Sequence, residues 1–136
     1  MVSELQRFDA ADFRSRASRH SPDDEVTGPG PTYLAHGDHA LNADMVLGID
    51  QARLRRAAVL IPVIDDGDEA RVILTQRTAT LRKHSGQIAF PGGAVDPDDR
   101  TVDHAAMREA HEEIGLDPGL VEVVGQLPDC LTMTGC

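Results

Sequence analysis

Residues 108–116 read Arg-Glu-Ala-His-Glu-Glu-Ile-Gly-Leu, and this stretch is the most informative in the chain. Its glutamates, Glu109, Glu112 and Glu113, are spaced i, i+3 and i+4. At about 100° per residue, these carboxylates fall on one face of a helix. Like charges at such spacing repel, at a cost of a few tenths of a kcal/mol per pair. The stretch therefore predicts a helix with an acidic ridge, the name used below for Glu109, Glu112 and Glu113.

The residues alone leave two interpretations of the acidic ridge open. One is a solvated acidic face, which is the usual fate of a run of charges. The other is a cation site, because Glu109 and Glu113 lie at the edge of an apolar stripe that should face the core, where carboxylates need a compensating charge. Clustered hard oxygen ligands suit Mg²⁺ or Mn²⁺, which bridge to substrate phosphates. The stripe comprises Val102, Ala106, Ala110 and Ile114, whereas His104 and His111 lie on the opposite, solvent-facing side.

The residues that precede the helix support a phosphate site. Gly92 and Gly93 follow a short strand predicted at 87–90, and glycine lets a backbone approach a ligand closely. Upstream lies a locally basic loop in an otherwise acidic protein, made of Arg77, Arg82, Lys83 and His84. A glycine pair alone is most often a turn, and a basic cluster alone is most often a solvated surface. Beside the acidic ridge, they resemble a cradle for substrate phosphates.

The remaining pattern predicts an α/β fold. Residues 57–64 form a continuous apolar run, typical of a strand buried on both faces, in which Pro62 favours an edge position or a bulge. Turn residues after this run predict a hairpin to a partner strand at 71–75. A helix is predicted at 101–114 and a further strand at 121–127, after the Gly115 stop signal. Strands, a helix and another strand together indicate a mixed α/β sandwich.

The chain divides into an N-terminal extension or linker, residues 1–54, and a compact domain, residues 55–136. A short helix is expected within residues 1–20, followed by a proline- and glycine-rich loop at 21–37. Among 136 residues, 13 Lys and Arg oppose 23 Asp and Glu, a net charge of −10. This balance argues against a general nucleic-acid or anionic-membrane binder.

Further features exclude other classes of protein. Cys130 and Cys136 are too few for a disulfide scaffold and lack metal-site spacing, so inert free thiols are expected. No apolar run approaches the length of about 18 residues that indicates a membrane span. The N-terminus also lacks the layout of a signal peptide. We therefore expect a cytoplasmic protein without nucleic-acid or membrane partners, and the sequence leaves its oligomeric state open.

With these residues in place, the chain resembles the Nudix hydrolases. Their signature box runs Gly, five residues, Glu, seven residues, then Arg-Glu-aliphatic-x-Glu-Glu-x-Gly-aliphatic. Arg108 to Leu116 matches its second half, with Ala110 in place of a larger aliphatic residue. The first half needs one extra residue, which aligns Gly93 with the box glycine and Asp99 with the box glutamate.

A second match resembles the coenzyme A pyrophosphatase subfamily. Its signature reads Leu-Leu-Thr-x-Arg-Ser/Ala, three residues, Arg, three residues, Gly, three residues, Phe-Pro-Gly-Gly. Residues 73–93 follow this spacing, and only Ile73 and Thr78 depart from it, both conservatively. The positions that match include Arg77, Arg82, Gly86, Phe90 and Gly92.

This resemblance implies an activity and a set of residue roles. The activity is metal-dependent hydrolysis of the diphosphate linkage in coenzyme A or its thioesters, which gives 3′,5′-ADP and a 4′-phosphopantetheine compound. The acidic ridge would bind Mg²⁺ or Mn²⁺ with the backbone of Gly93 close by, and Glu112 or Glu113 would also activate the attacking water. Arg108 would be an internal ion-pair partner that holds the loop, with Asp99 as the candidate acid. Substrate binding would fall to Arg77, Arg82, Gly86, Phe90 and Gly92.

The resemblance also implies a Nudix-type α/β/α sandwich with a mixed sheet, of which the C-terminal part is missing from this chain. We therefore expect an incomplete Nudix domain over residues 55–136. Two alternatives to a coenzyme A diphosphatase stay open. One is a Nudix hydrolase of another nucleoside diphosphate derivative, such as NADH or ADP-ribose. The other is an inactive truncated fragment.

Overall fold

The computed structural model describes residues 8–18, 54–67, 69–76 and 86–132. The predicted loop at 21–37, the basic loop with Arg77 and Arg82, and Cys136 lie outside these residues. The described elements are helix α1 (Ala10–Ala17), the strands β1 (Ala57–Val59), β2 (Val63–Ile64), β3 (Arg71–Val72), β4 (Thr75–Gln76), β5 (Ile88–Ala89) and β6 (Gly92–Ala94), and helix α2 (Val102–Ile114). Together they confirm the α/β class.

Helix α2 carries the acidic ridge. It has a side-chain cap at its N-terminus and a backbone cap at its C-terminus. The N-cap is Thr101, whose hydroxyl accepts a hydrogen bond from the backbone N–H of His104 at 3.1 Å. At the other end, Gly115 adopts the left-handed conformation at φ 68° and donates its N–H to the carbonyl of His111. Glycine suits this position because it has no Cβ to clash there. The helix predicted at 101–114 is therefore confirmed.

The helix packs through alanines onto a two-stranded sheet formed by β1 and β6. These strands are antiparallel, and Ala58 lies opposite Gly93 in their register. The buried core consists of Ala58, Ala105 and Ala106, with Leu60 and Val95 packed against it. Because these core side chains are methyl groups, the helix axis can approach the sheet closely.

The buried face of α2 differs slightly from the predicted stripe. Ala106 and Ala110 are buried as expected, but Ala105 is fully buried as well. Val102 is exposed and Ile114 is half-buried. The helix is therefore rotated so that the small side chains, rather than the β-branched ones, meet the sheet. His104 and His111 are exposed, as the sequence predicts.

The continuous strand predicted at 57–64 is wrong, because residues 60–62 interrupt it. The backbone divides into β1 and β2, and Pro62, which has no N–H to donate, lies in the break. Only Ala58 of β1 is buried, with Ala57 and Val59 exposed, so this strand is not buried on both faces. The predicted hairpin is confirmed, since β2 and β3 pair antiparallel. The predicted partner strand at 71–75 is likewise split, and its second part, β4, pairs with β5 instead.

Two further expectations need correction. No strand forms at 121–127, since after a short 3-10 turn at Pro118–Leu120 the described chain continues without helix or strand through residue 130. Conversely, Gly92 and Gly93, predicted to lie in a loop, form part of strand β6. The described strand pairs are all antiparallel, so the mixed sheet stays a prediction.

Helix α1 contacts other parts of the described structure. The Arg14 guanidinium pairs with Glu122 at 2.7 Å and with Asp65 at 3.7 Å. The backbone N–H of Ala70 donates to the carbonyl of Phe8 at 2.8 Å. The helix expected within residues 1–20 is therefore confirmed. Among the described residues, no helix has the length and apolar character needed to cross a membrane.

Candidate active site

The loop before α2 and the middle of the helix are joined by an ion pair between Asp99 and Arg108. The guanidinium donates to Asp99 from two nitrogens, from Nε to Oδ1 at 3.1 Å and from Nη2 to Oδ2 at 2.9 Å. Such a two-point contact fixes orientation as well as distance, because the guanidinium is a planar fork. The ion pair suggested for Asp99 is therefore present, although an aspartate stands at the position of the box glutamate.

Asp99 is held by more than Arg108. Its side chain is 2% exposed, and it also accepts from the backbone N–H of Asp96 at 2.8 Å. The ring Nδ1 of His104 lies 2.9 Å from Oδ1. The hydrogen bonds from Arg108 and from the Asp96 backbone hold the pKa of Asp99 well below its ordinary value. Asp99 is therefore a charged anchor for the guanidinium.

The local sequence explains this geometry. Residues 96–99 form a turn in which the N–H of Asp99 donates to the carbonyl of Asp96 at 3.0 Å. Asp-Pro at the first two positions is typical of such a turn, since proline presets φ and the aspartate oxygen can accept locally. The turn directs the Asp99 carboxylate toward the first half of α2.

The other edge of the Arg108 guanidinium faces the acidic ridge. Its Nη1 donates to Glu109 Oε1 at 3.0 Å and reaches Glu112 Oε1 at 3.4 Å, and its Nη2 donates to the carbonyl of Ala94 at 3.0 Å. The hydrogen bonds that Arg108 donates to Asp99 and Glu109 raise the pKa of Arg108 above its ordinary range. This side chain therefore links the loop, the ridge and strand β6.

The glycine strand lies directly beneath two glutamates of the ridge. An ideal Cβ built on Gly93 would lie 2.5 Å from Glu109 Oε2 and 2.7 Å from its Oε1, so the carboxylate fills the space that any side chain would need. Glu113 Oε2 accepts a hydrogen bond from the backbone N–H of Gly92 at 3.2 Å. The absence of side chains at positions 92 and 93 thus brings backbone and carboxylates together.

These residues fit a divalent cation by donor chemistry and by the glycine cradle. The ridge offers hard carboxylate oxygens, which Mg²⁺ and Mn²⁺ prefer, and the lack of a side chain at Gly93 lets the Glu109 carboxylate lie against the backbone. Within the part of the chain that the structure describes, no group of three or more acidic, histidine or cysteine side chains is arranged to hold a metal ion. Two of the ridge carboxylates, those of Glu109 and Glu112, instead accept hydrogen bonds from Arg108.

An open cavity of about 290 Å³ adjoins the end of the ridge. Among the described residues, its lining comes from strand β4 and from the last turn of α2, and consists of Thr75, Gln76, Glu113 and Ile114. Glu113 therefore contacts both the glycine strand and this space. The cavity offers room for part of a ligand next to a ridge carboxylate.

The structure describes three of the five predicted substrate-binding residues. Gly92 lies in β6 and contacts Glu113, and Phe90 is half-buried one residue before the buried Pro91. Gly86 is exposed in a turn at φ 76°, a left-handed conformation that favours glycine. Arg77 and Arg82 lie outside the described residues.

Two contributors to this site were missed in the sequence. His104 was placed on the solvent side, which is correct, yet its ring reaches back to Asp99. Asp96 supplies a backbone donor to Asp99, and its carboxylate lies 3.5 Å from Arg108 Nη2. The Asp-Pro turn signal could have indicated Asp96, whereas His104 carried no separate signal.

Comparison with known proteins identifies the class. Residues 54–135, more than half of the chain, match the Nudix domain family. The chain belongs to the Nudix hydrolase family.

Three curated relatives with the same name illustrate the similarity. A Klebsiella pneumoniae (strain 342) protein called "Uncharacterized Nudix hydrolase NudL" is 46% identical over 108 residues, which cover 72% of this chain and 56% of that protein. Proteins of the same name from Cronobacter sakazakii and Citrobacter koseri are 53% and 54% identical over 81 residues, or 60% of this chain and 42% of theirs. The chain therefore spans about half the length of these curated relatives.

Proposed function

We propose that this protein hydrolyses the diphosphate linkage of coenzyme A or its thioesters, with Mg²⁺ or Mn²⁺ as cofactor. The observation that carries the proposal is the position of the acidic ridge, which lies against the Gly92–Gly93 strand in a chain of the Nudix family. The match of residues 73–93 to the coenzyme A pyrophosphatase signature supports the choice of substrate. The products would be 3′,5′-ADP and 4′-phosphopantetheine or its acylated form.

The ridge glutamates would hold the cation, together with the backbone of Gly93. When bound, a divalent cation neutralises charge on the diphosphate oxygens and lowers the pKa of a coordinated water. Glu112 or Glu113 would accept the proton of the attacking water, a role that needs a carboxylate within hydrogen-bond reach. The exposure of both residues leaves them accessible to water.

Arg108 and Asp99 would position the helix that carries the acidic ridge and would take no direct part in the reaction. The two-point ion pair between them would hold the helix against the loop. In this structure Arg108 Nη1 also donates to Glu109 and reaches Glu112. Positioning of this kind supplies a large part of the acceleration in phosphoryl-type reactions. Arg77 and Arg82 would bind substrate phosphates, and Phe90 and Gly86 would shape the approach to them.

The proposal also covers location and partners. A net charge of −10 disfavours nucleic acids and anionic membranes as ligands. The proposed substrate is therefore a small diphosphate bridged by a metal, and the proposed location is the cytoplasm.

The test is a comparison of initial hydrolysis rates for coenzyme A, NADH and ADP-ribose in excess Mg²⁺ and in excess Mn²⁺. We expect the highest kcat/KM for coenzyme A, with 3′,5′-ADP as a product identified by chromatography. A preference for NADH or ADP-ribose would keep the Nudix chemistry and reject coenzyme A. Absence of turnover for every substrate, together with cooperative unfolding, would identify a folded but inactive domain.

A further inference from the structure

The two edges of the Arg108 guanidinium have different partners. One edge, Nε and Nη2, is bound to Asp99, whose side chain is 2% exposed. The other edge, Nη1, points to Glu109 and Glu112, whose side chains are 18% and 59% exposed. One cation therefore joins an enclosed anchor to a half-buried and an exposed carboxylate, both proposed as metal ligands.

We infer that Arg108 is a resident cation that competes with the metal for Glu109 and Glu112, so that metal binding releases Nη1 while Asp99 retains Nε and Nη2. This inference rests on the proposed function, because it assumes that the ridge binds a divalent cation. It adds a coupling between the metal and a side chain that is not itself a ligand.

The charges on the page support the release of Nη1. A carboxylate oxygen that accepts from Arg108 presents less electron density to a second cation, and a divalent ion beside the guanidinium would repel it. Glu109 Oε1 and Glu112 Oε1 are the oxygens engaged by Nη1, at 3.0 and 3.4 Å. A metal bound through these oxygens replaces the charge compensation that Nη1 provides.

The contacts of the other edge explain why the whole side chain would not leave. Asp99 accepts from two nitrogens of Arg108 and lies in a turn fixed by the Asp96 backbone. The Ala94 carbonyl accepts from Nη2 as well. Breaking these hydrogen bonds would leave the enclosed Asp99 carboxylate without the Arg108 guanidinium, which costs free energy. The guanidinium is therefore expected to give up only one of its two edges.

Nuclear magnetic resonance of the guanidinium protons tests this directly in the full 136-residue chain labelled with ¹⁵N. We expect Mg²⁺ to speed solvent exchange of the Arg108 Nη1 protons while the Nε proton stays protected by Asp99. Arg14 provides an internal control, because its guanidinium pairs with Glu122 and Asp65 rather than with the ridge. Saturable Mg²⁺ binding that leaves the Nη1 protons unchanged, or that releases Nε, would overturn the inference and leave the proposed metal site intact. No saturable binding would overturn both.

A substitution gives a second, independent readout. Arg108→Lys keeps the charge, but a lysine ammonium is a compact point charge that cannot contact Asp99 and Glu109 with two separate edges. Because the ammonium is expected to stay with the enclosed Asp99, Glu109 and Glu112 lose the cation that competes with the metal. The Kd for Mg²⁺ measured by calorimetry should then fall roughly two- to fivefold, the range that corresponds to the loss of one ion pair. A weaker Mg²⁺ affinity in a variant with an unchanged circular dichroism spectrum would mean that Arg108 only positions the ligands, which contradicts competition.

Discussion

The carboxylate of Glu109 occupies the space that a side chain at position 93 would need. Its oxygens lie 2.5 and 2.7 Å from an ideal Cβ on Gly93. Glycine at position 93 is therefore required for the Glu109 carboxylate to lie where it does, and it does not serve as a turn residue. This relationship links strand β6 to the acidic ridge and gives a direct test of the site.

Gly93→Ala should displace Glu109 while keeping the fold. The atoms in conflict are at the free end of a flexible side chain, so the carboxylate can move aside at small structural cost. We expect metal affinity and kcat/KM to fall by at least about tenfold, a loss equivalent to about 1.4 kcal/mol, with little change in Tm. Calorimetry and thermal unfolding provide the measurements.

The matched control is Gly92→Ala, which should destabilise the fold, whereas Gly93→Ala should not. A Cβ at this position meets backbone atoms, including Val59 Cα at 2.7 Å, and these cannot move aside. Overpacking of this kind costs roughly 1–3 kcal/mol, so the free energy of unfolding should fall. If Gly93→Ala lost stability as severely and kept its metal affinity, Glu109 would have no special position.

Asp99→Asn should change how stability depends on pH. The pKa of Asp99 in the folded state lies below its ordinary value of 3.8, so its charged form is stabilised by folding. That contribution is fully present above about pH 4 and is lost as the pH falls toward the lowered folded pKa.

The asparagine variant should therefore be less stable at pH 6 and should lose less stability on acidification than the wild type. Urea unfolding at pH 6 and pH 3 measures both quantities. Asp98→Asn, a change in a neighbouring exposed carboxylate, serves as the control. Parallel pH profiles for wild type and Asp99→Asn would show that the carboxylate is not stabilised by its partners.

Glu112→Gln and Glu113→Gln should each reduce turnover strongly without unfolding the protein. Removal of a metal ligand or general base typically costs about 10²–10⁴-fold in rate, and both residues are exposed, so packing changes little. Initial rates in excess Mg²⁺ and thermal unfolding are the measurements, and Asp129→Asn, an exposed acid beyond the helix, is the control. Wild-type rates in both glutamine variants would restore the solvated-face interpretation of the ridge.

The helix and its stop at Gly115 were predicted because their signals are local. Thr101 and Gly115 bracket a run with helical periodicity, and their capping roles depend only on nearby backbone. The ridge followed from the same periodicity. The ion pair of Arg108 with Asp99 was suggested by the family resemblance, and the structure confirms the contact.

The strands were predicted less well because strand pairing depends on distant residues. The apolar run at 57–64 indicated one strand, yet Pro62 cannot donate to a neighbour and the pairing changes from β6 to β3 across it. The glycine strand was missed for a related reason, since Gly92 and Gly93 form a strand only because β1 lies alongside. At 121–127, a strand was predicted after the Gly115 stop, but the described residues show no strand there.

The central claim is that the acidic ridge binds a divalent cation, and titration of Mn²⁺ or Mg²⁺ into the chain by calorimetry tests it most directly. The account predicts saturable uptake in the wild type that is lost in the triple variant Glu109→Gln, Glu112→Gln, Glu113→Gln, with chelation of the metal abolishing hydrolysis. Wild-type protein that takes up neither ion, or a triple variant that takes up the metal as the wild type does, would contradict it.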